Sequence, residues 1–232
     1  MSTQPATARG SDRPRVAMMK ERKIIVYIAT SADGYIARPD GNVDWLNRPR
    51  PADDYGMGAF YKSIDAIIWG RKTYEPLLQK FAAAKTKATA RSKKPKAQTS
   101  GSRIKNYIFS RQPPETFPPG AEFVREPIKE FTRRLHSEAG KDIWMMGGAG
   151  IIGSFLDEGE IDEFMIHVIP IFIGDGIPLV QPRHRSIPLK LLSMKSWPDG
   201  VVLLHYAVRT QPESKSASKK DGRAKTNKKR QH

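Results

Sequence analysis

Short apolar runs of strand length recur along this chain, and each is cut off by a turn signal. Residues 23–30 (KIIVYIAT) are rich in β-branched side chains, and Asp33-Gly34 follows them. Residues 66–69 end at Gly70, 106–110 (NYIFS) before Pro113-Pro114, 142–146 (DIWMM) at Gly147-Gly148, and 164–169 at Pro170. Runs of this length with such boundaries predict strands. The stretches between them predict helices over 54–63, 73–81, 127–139 and 149–156. Pro127 stands at the first turn of the third helix, and Gly140 follows its end. Strands that alternate with helices predict an α/β sheet covered by helices on both faces. Residues 189–194 and 201–208 flank Pro198-Asp199-Gly200, which predicts a closing antiparallel hairpin. The sheet is therefore mixed and mostly parallel.

Three segments stand outside this pattern, and they carry the charge. The chain has 232 residues and a formal net charge of +16. Residues 1–23 hold six basic and two acidic side chains, 80–105 nine basic and none acidic, and 210–232 eight basic and two acidic. The other 160 residues come to −3. The basic character thus belongs to appendages, and the presumed core is nearly neutral. Residues 1–22, 82–103 and 210–232 lack the apolar side chains that would offset the entropy of ordering them. They are expected to be a mobile N-terminal segment, a long basic loop and a mobile tail around one domain spanning 23–209. Zero cysteines exclude a disulfide scaffold, a thiolate zinc site and a cysteine nucleophile. No apolar run approaches the roughly 20 residues of a membrane helix, and residues 1–23 contain no signal-peptide core, so a cytoplasmic location is expected.

Chemistry concentrates where strands give way to helices. Trp69-Gly70-Arg71-Lys72-Thr73 ends a strand, turns, and opens a helix with two cations and a hydroxyl. Helix N-terminal amides attract anions, and Arg71 and Lys72 add fixed charge. The plainer reading is a helix capped by Thr73 with two solvated cations. Gly147-Gly148-Ala149-Gly150 also follows a strand and opens a helix. Its glycines allow backbone amides to approach a pyrophosphate, and Gly148, Gly150 and Gly153 match G-x-G-x-x-G. The motif lies late in the chain with no acidic residue after the next strand, so tight helix–strand packing stands beside it as an alternative. Ser110-Arg111 ends the third strand, where a hydroxyl and a guanidinium can hold a phosphate monoester or serve as ordinary surface. Three anion acceptors at strand ends suit a pyrophosphate and a 2′-phosphate, which makes NADPH a natural ligand.

Carboxylates are the other candidates. Asp33 precedes Gly34 and serves either as a turn residue or as a substrate contact. Asp53 and Asp54 open a helix, where capping is the ordinary role. The five histidines form no i, i+4 pair and no cluster with metal-ligand spacing, so no metal is expected. His167 alternates within an apolar strand and reads as a structural histidine. Neither G-x-S-x-G nor G-x-x-x-x-G-K-[ST] occurs, which leaves hydrolase and NTPase readings without support.

Taken in order, these motifs resemble the dihydrofolate reductase superfamily. The nearer likeness is to the reductase (C-terminal) domain of the bifunctional riboflavin-biosynthesis deaminase-reductase and its stand-alone bacterial relatives. IATSADGYIARPDGNVDWL (28–46), FYKSIDAIIWGRKTYE (60–75), YIFSR (107–111) and IWMMGGAGIIGSFLDEGEIDEFMIHVIPIFIGDGIPLV (143–180) carry it. The resemblance implies a dihydrofolate reductase-like three-layer fold, NADPH as hydride donor, and a homodimer. It places Gly70, Arg71, Lys72 and Thr73 at the phosphate-binding helix start, and Ser110 and Arg111 at the 2′-phosphate. Gly147, Gly148, Ala149 and Gly150 fall on the pyrophosphate loop, and Ala29 and Thr30 at the strand end that meets the nicotinamide. It places Asp33 beside the substrate, and it sets Asp53 at the helix start that bears the substrate carboxylate. The lysine-rich stretch at 82–103 stands where the family has a short connection.

The expected function is an NADPH-dependent reductase that passes a hydride to a pterin-like or aminopyrimidine-like small molecule. Asp33 is the first candidate for substrate contact, followed by Asp53 or Asp54. The rival expectation is a silent reductase-fold scaffold whose basic tails bind nucleic acid or an acidic partner.

Overall fold

The computed structural model describes residues 21–90, 104–115, 117, 118 and 120–209. Most of the basic N-terminal segment, residues 91–103 of the insertion, and the tail from 210 lie outside the described residues. No described helix is long and apolar enough to cross a membrane.

The elements run β1 (Ile24–Ser31), β2 (Tyr35–Ala37), α1 (Met57–Ser63), β3 (Ile64–Gly70), α2 (Arg71–Ala90), β4 (Lys105–Phe109) and β5 (Ala121–Val124). They continue with α3 (Ile128–Ser137), β6 (Asp142–Gly147), α4 (Ala149–Asp157), β7 (Glu163–Ile169), β8 (Ile177–Pro178), β9 (Leu189–Ser196) and β10 (Val202–Val208). Eight strands form one sheet in the order β5-β4-β3-β6-β1-β7-β10-β9. β1 lies at its centre, parallel to both β6 and β7. β10 is antiparallel to both β7 and β9, so the terminal hairpin closes one edge. The three short strands absent from the sequence reading are β2, β5 and β8. They have two to four residues each, too few to display a period.

The apolar runs alternate across the sheet, and each face takes its own helices. Ile24, Val26, Ile68, Tyr107, Ile143 and Met145 pack against Phe131 and Leu135 of α3 and Ile152 and Phe155 of α4. The neighbouring positions Ile25, Tyr27, Ile67, Trp69, Ile108 and Trp144 meet Phe60 of α1 and Tyr74 and Leu78 of α2. A strand covered on both faces has no solvent side to keep polar, which is why these strands read as unbroken apolar runs.

Two helices differ from expectation. The helix expected over 54–63 is broken. Asp54–Gly56 forms a 3-10 turn in which Asp54 and Tyr55 have positive φ (46° and 55°), and α1 starts only at Met57. The helix expected over 73–81 runs from Arg71 to Ala90, so residues 82–90 of the expected loop are helical. These residues are rich in alanine and lysine, and extending a helix costs far less than nucleating one.

Candidate active site

The sheet order creates a crevice. β3 and β6 are adjacent and parallel, yet the helix that follows β3 packs on one face and the helix that follows β6 on the other. The two connections diverge, and an open α/β sheet binds ligands at such a point, beyond the carboxyl ends of its strands. Both helix N-termini border this gap, and neither α2 nor α4 has an acidic residue in its first turn. Their positive ends are left for an incoming anion.

Glycines let the two connections approach. A Cβ on Gly70 would stand 3.3 Å from the Gly147 carbonyl oxygen, and one on Gly148 would stand 3.2 Å from Thr73 Oγ1. Gly147 has φ +105°, a conformation that side chains rarely adopt. The resulting cradle opens into a cavity of about 1030 Å³. Gly70, Arg71, Lys72, Thr73, Gly148, Ala149 and Gly150 line it, so both expected phosphate loops share one wall. The absence of side chains at the two closest approaches, between two free helix N-termini, fits a dinucleotide pyrophosphate.

The other expected residues divide. Ala29 lines the cavity, whereas Thr30 is buried in β1 away from it. Ser110 and Arg111 stand just outside the wall. Ser110 Oγ donates to the Gln112 carbonyl at 2.9 Å, and Arg71 Nη1 donates to the same carbonyl at 2.7 Å. This shared oxygen joins the start of α2 to the loop after β4.

Asp33 does not line the cavity. Its carboxylate accepts the Gly174 N–H at 2.8 Å and the Ile173 N–H at 3.2 Å, tying the β1–β2 turn to the loop before β8. A hydrogen bond from Ser31 and these two amides hold it below the usual carboxylate range. Asp53 is likewise engaged elsewhere. It accepts from Lys195 Nζ at 2.7 Å, Trp197 Nε1 at 3.0 Å and the Tyr55 N–H at 3.3 Å. Lys195, with Trp197 and the Tyr55 amide, lowers its pKa. Of the two adjacent carboxylates it is Asp54 that lines the cavity, 3.0 Å from Arg50 Nη1, and Asp40 lines it as well.

Behind Asp54 lies an aromatic wall, of which the sequence had singled out only His167, as a structural histidine. Tyr27, Tyr55, Trp144 and His167 line the cavity there. The Tyr27 hydroxyl donates to the Tyr55 carbonyl at 3.1 Å, and Trp144 Nε1 donates to the Tyr27 carbonyl at 2.9 Å. Burial, reinforced by Asp54 and Asp53, pushes Tyr27 up to about 12, so it remains a neutral O–H. Burial lowers His167, against the opposing pull of the Tyr55 and Ile28 backbone. The one available signal was a tyrosine and a histidine inside otherwise apolar strands. Among the described residues, no group of three or more His, Cys, Asp or Glu could hold a metal ion.

Comparison with known proteins is consistent with this geometry. The RibD C-terminal domain matches over residues 22–203. The uncharacterized protein YwjB of Bacillus subtilis is 36% identical over 188 residues, which span 80% of this chain and 98% of YwjB. Among solved structures, the diaminohydroxyphosphoribosylaminopyrimidine deaminase/5-amino-6-(5-phosphoribosylamino)uracil reductase of Thermotoga maritima superimposes with a TM-score of 0.55 at 17% identity, over 82% of this chain and 57% of that one. A dihydrofolate reductase of Enterococcus faecalis complexed with NADP(H) superimposes with a TM-score of 0.53 at 12% identity, over 81% of this chain and 97% of that one. At these identities the two structures share the fold, a dihydrofolate reductase-like mixed sheet between helical layers.

Proposed function

The chain belongs to the RibD C-terminal domain family, and we propose that it is an NADPH-dependent reductase acting on a pterin-like or aminopyrimidine-like small molecule. The observation that carries this reading is the glycine cradle between the N-termini of α2 and α4, opening toward a wall of Asp54, Tyr27, Trp144 and His167. In this reading the amides of Gly148, Ala149 and Gly150 and the start of α2 hold the pyrophosphate. Arg71 and Arg111 take the 2′-phosphate, and Ser110 adds a hydroxyl donor. When bound, NADPH supplies a hydride. Ala29 and the aromatic wall exclude water and orient a planar substrate, and Asp54 offers an acceptor to its N–H groups.

The test is a fluorescence titration with NADPH and, separately, NADH on the wild type, Arg71→Ala and Arg111→Ala. The wild type should prefer NADPH, and each substitution should weaken NADPH more than NADH. Equal weakening of both dinucleotides would remove the 2′-phosphate assignment. Absence of binding by either dinucleotide would remove the reductase reading.

A further inference from the structure

His167 lies in the middle of β7, 5% exposed, with part of its ring on the cavity wall. Aromatic rings enclose it, with centroids at 4.7 Å for Tyr27, 5.9 Å for Trp197 and 6.3 Å for Tyr55. Nε2 is 3.1 Å from the Tyr55 carbonyl oxygen and 3.4 Å from the Tyr27 hydroxyl. The Ile28 backbone, like that of Tyr55, favours the protonated ring.

A neutral imidazole has one N–H and one lone pair. A ring protonated at Nε2 donates to the Tyr55 carbonyl, whereas the other neutral tautomer turns its Nε2 lone pair toward the Tyr27 hydroxyl and that carbonyl. Burial opposes the charged ring, and the Tyr55 and Ile28 backbone favours it. The titratable or charged groups around it are few. Tyr27 faces it from β1, Asp53 and Asp54 lie on the turn that carries Tyr55, and Lys195 on β9 is held by Asp53. Leu203, its partner on β10, carries no charge.

We propose that His167 and Tyr27 form the proton-delivery pair of this pocket, an inference that rests on the reductase reading above. Hydride addition to the carbon of a C=N bond breaks the π bond and leaves its electron pair on nitrogen. That nitrogen takes the Tyr27 hydroxyl proton, and the Tyr27 oxygen takes the Nε2 proton of the His167 imidazolium. Solvent then reprotonates the ring. The substrate is reduced by two electrons, NADPH is oxidised, and one proton is consumed. The Tyr55 carbonyl, shared by both donors, keeps the hydroxyl and the imidazole aligned between turnovers.

The experiment is nitrogen-15 NMR of the full chain labelled at histidine, between about pH 5 and 8, with and without NADPH. His167→Gln identifies the signal by its loss. The expected result is a ring that passes from one neutral tautomer to a form protonated on both nitrogens, with a midpoint below 6.5, and that shifts when NADPH is added. A ring that stays neutral throughout overturns the pair, even where NADPH binds. The kinetic arm follows NADPH-dependent reduction of 7,8-dihydrobiopterin against pH. Wild-type kcat/KM should rise as pH falls toward the His167 midpoint. His167→Gln and Tyr27→Phe should lose that rise and about a hundredfold in kcat, with NADPH affinity retained. An unchanged profile in His167→Gln overturns the pair alone. A wild type that binds NADPH without reducing the pterin overturns the reductase reading and the pair with it.

Discussion

Single residues set the two limits of the pocket. At the end proposed to hold the cofactor the limiting residue is Gly148, whose missing side chain leaves room for the start of α2. Gly148→Ala would place a Cβ 3.2 Å from Thr73 Oγ1 and 3.9 Å from Ile36 Cδ1, in the space proposed for the pyrophosphate. NADPH affinity should fall at least about tenfold, read by fluorescence titration; an unchanged affinity would mean that this loop does not touch the cofactor. At the other end the limiting residue is His167. Its folded pKa lies below the value of about 6.5 that it has in an unfolded chain, so the unfolded state binds the proton first. Its contribution is intact above pH 6.5. It is lost as pH falls toward the folded pKa, by up to about 1.4 kcal/mol per pH unit. His167→Gln should flatten that decline, and urea midpoints at neutral and mildly acidic pH measure it. A decline of the same slope in the variant would assign it to other groups. The neighbouring carboxylates show how local reading goes astray. Asp53 and Asp54 are adjacent, and nothing in their spacing indicates that Asp53 turns to Lys195 and Trp197 while Asp54 lines the cavity.

The elements were more legible than the residues they position. Five strands, the terminal hairpin and two helices stand within a few residues of their expected places, because burial on both faces writes continuous apolar runs into the sequence. A third helix starts near its expected place but runs on to Ala90. The fourth helix broke at Asp54 and Tyr55, whose left-handed backbone is held from outside. Asp53 takes the Tyr55 N–H, Tyr27 and His167 face its carbonyl, and Asp199 receives its hydroxyl. Helix α3 shows what packing adds to a helix that sequence had already located. Phe131 is fully buried, with ring centroids 5.1 Å from Tyr107 and 5.0 Å from Phe109. Phe131→Ala should cost about 3–5 kcal/mol in urea unfolding and leave NADPH affinity unchanged below the transition. A loss under about 1 kcal/mol would mean that α3 does not clamp the sheet.

At the scale of the molecule, the sheet is covered unevenly. Helices enclose its centre, whereas β9 is exposed along its whole length and β10 is half-buried throughout. Leu191 is 50% and Met194 64% exposed, and both pair with β10 residues beside an apolar strip that includes Ile166 and Tyr206. Exposed apolar patches of this kind are usually covered, and a second copy about a two-fold axis covers them at no cost in new sequence. We propose a homodimer through this hairpin. Sedimentation velocity should show a dimer for the wild type and a monomer for Leu191→Lys combined with Met194→Lys. A monomeric wild type would exclude the interface.

The sequence by itself determined the alternation of strands and helices, the closing hairpin, and the two glycine-bearing helix starts. Those features are local: a few consecutive residues specify a backbone conformation and an apolar period. Only the tertiary structure decided which side chains form the far wall. Tyr55 meets His167 across 112 positions and Asp53 meets Trp197 across 144, and a hydrogen bond between such partners leaves no trace in the spacing of either. For the same reason Asp33, prominent in a turn motif, proved to be held by amides 140 and 141 positions away, whereas His167, read as a structural histidine in an apolar strand, came to rest on the pocket wall.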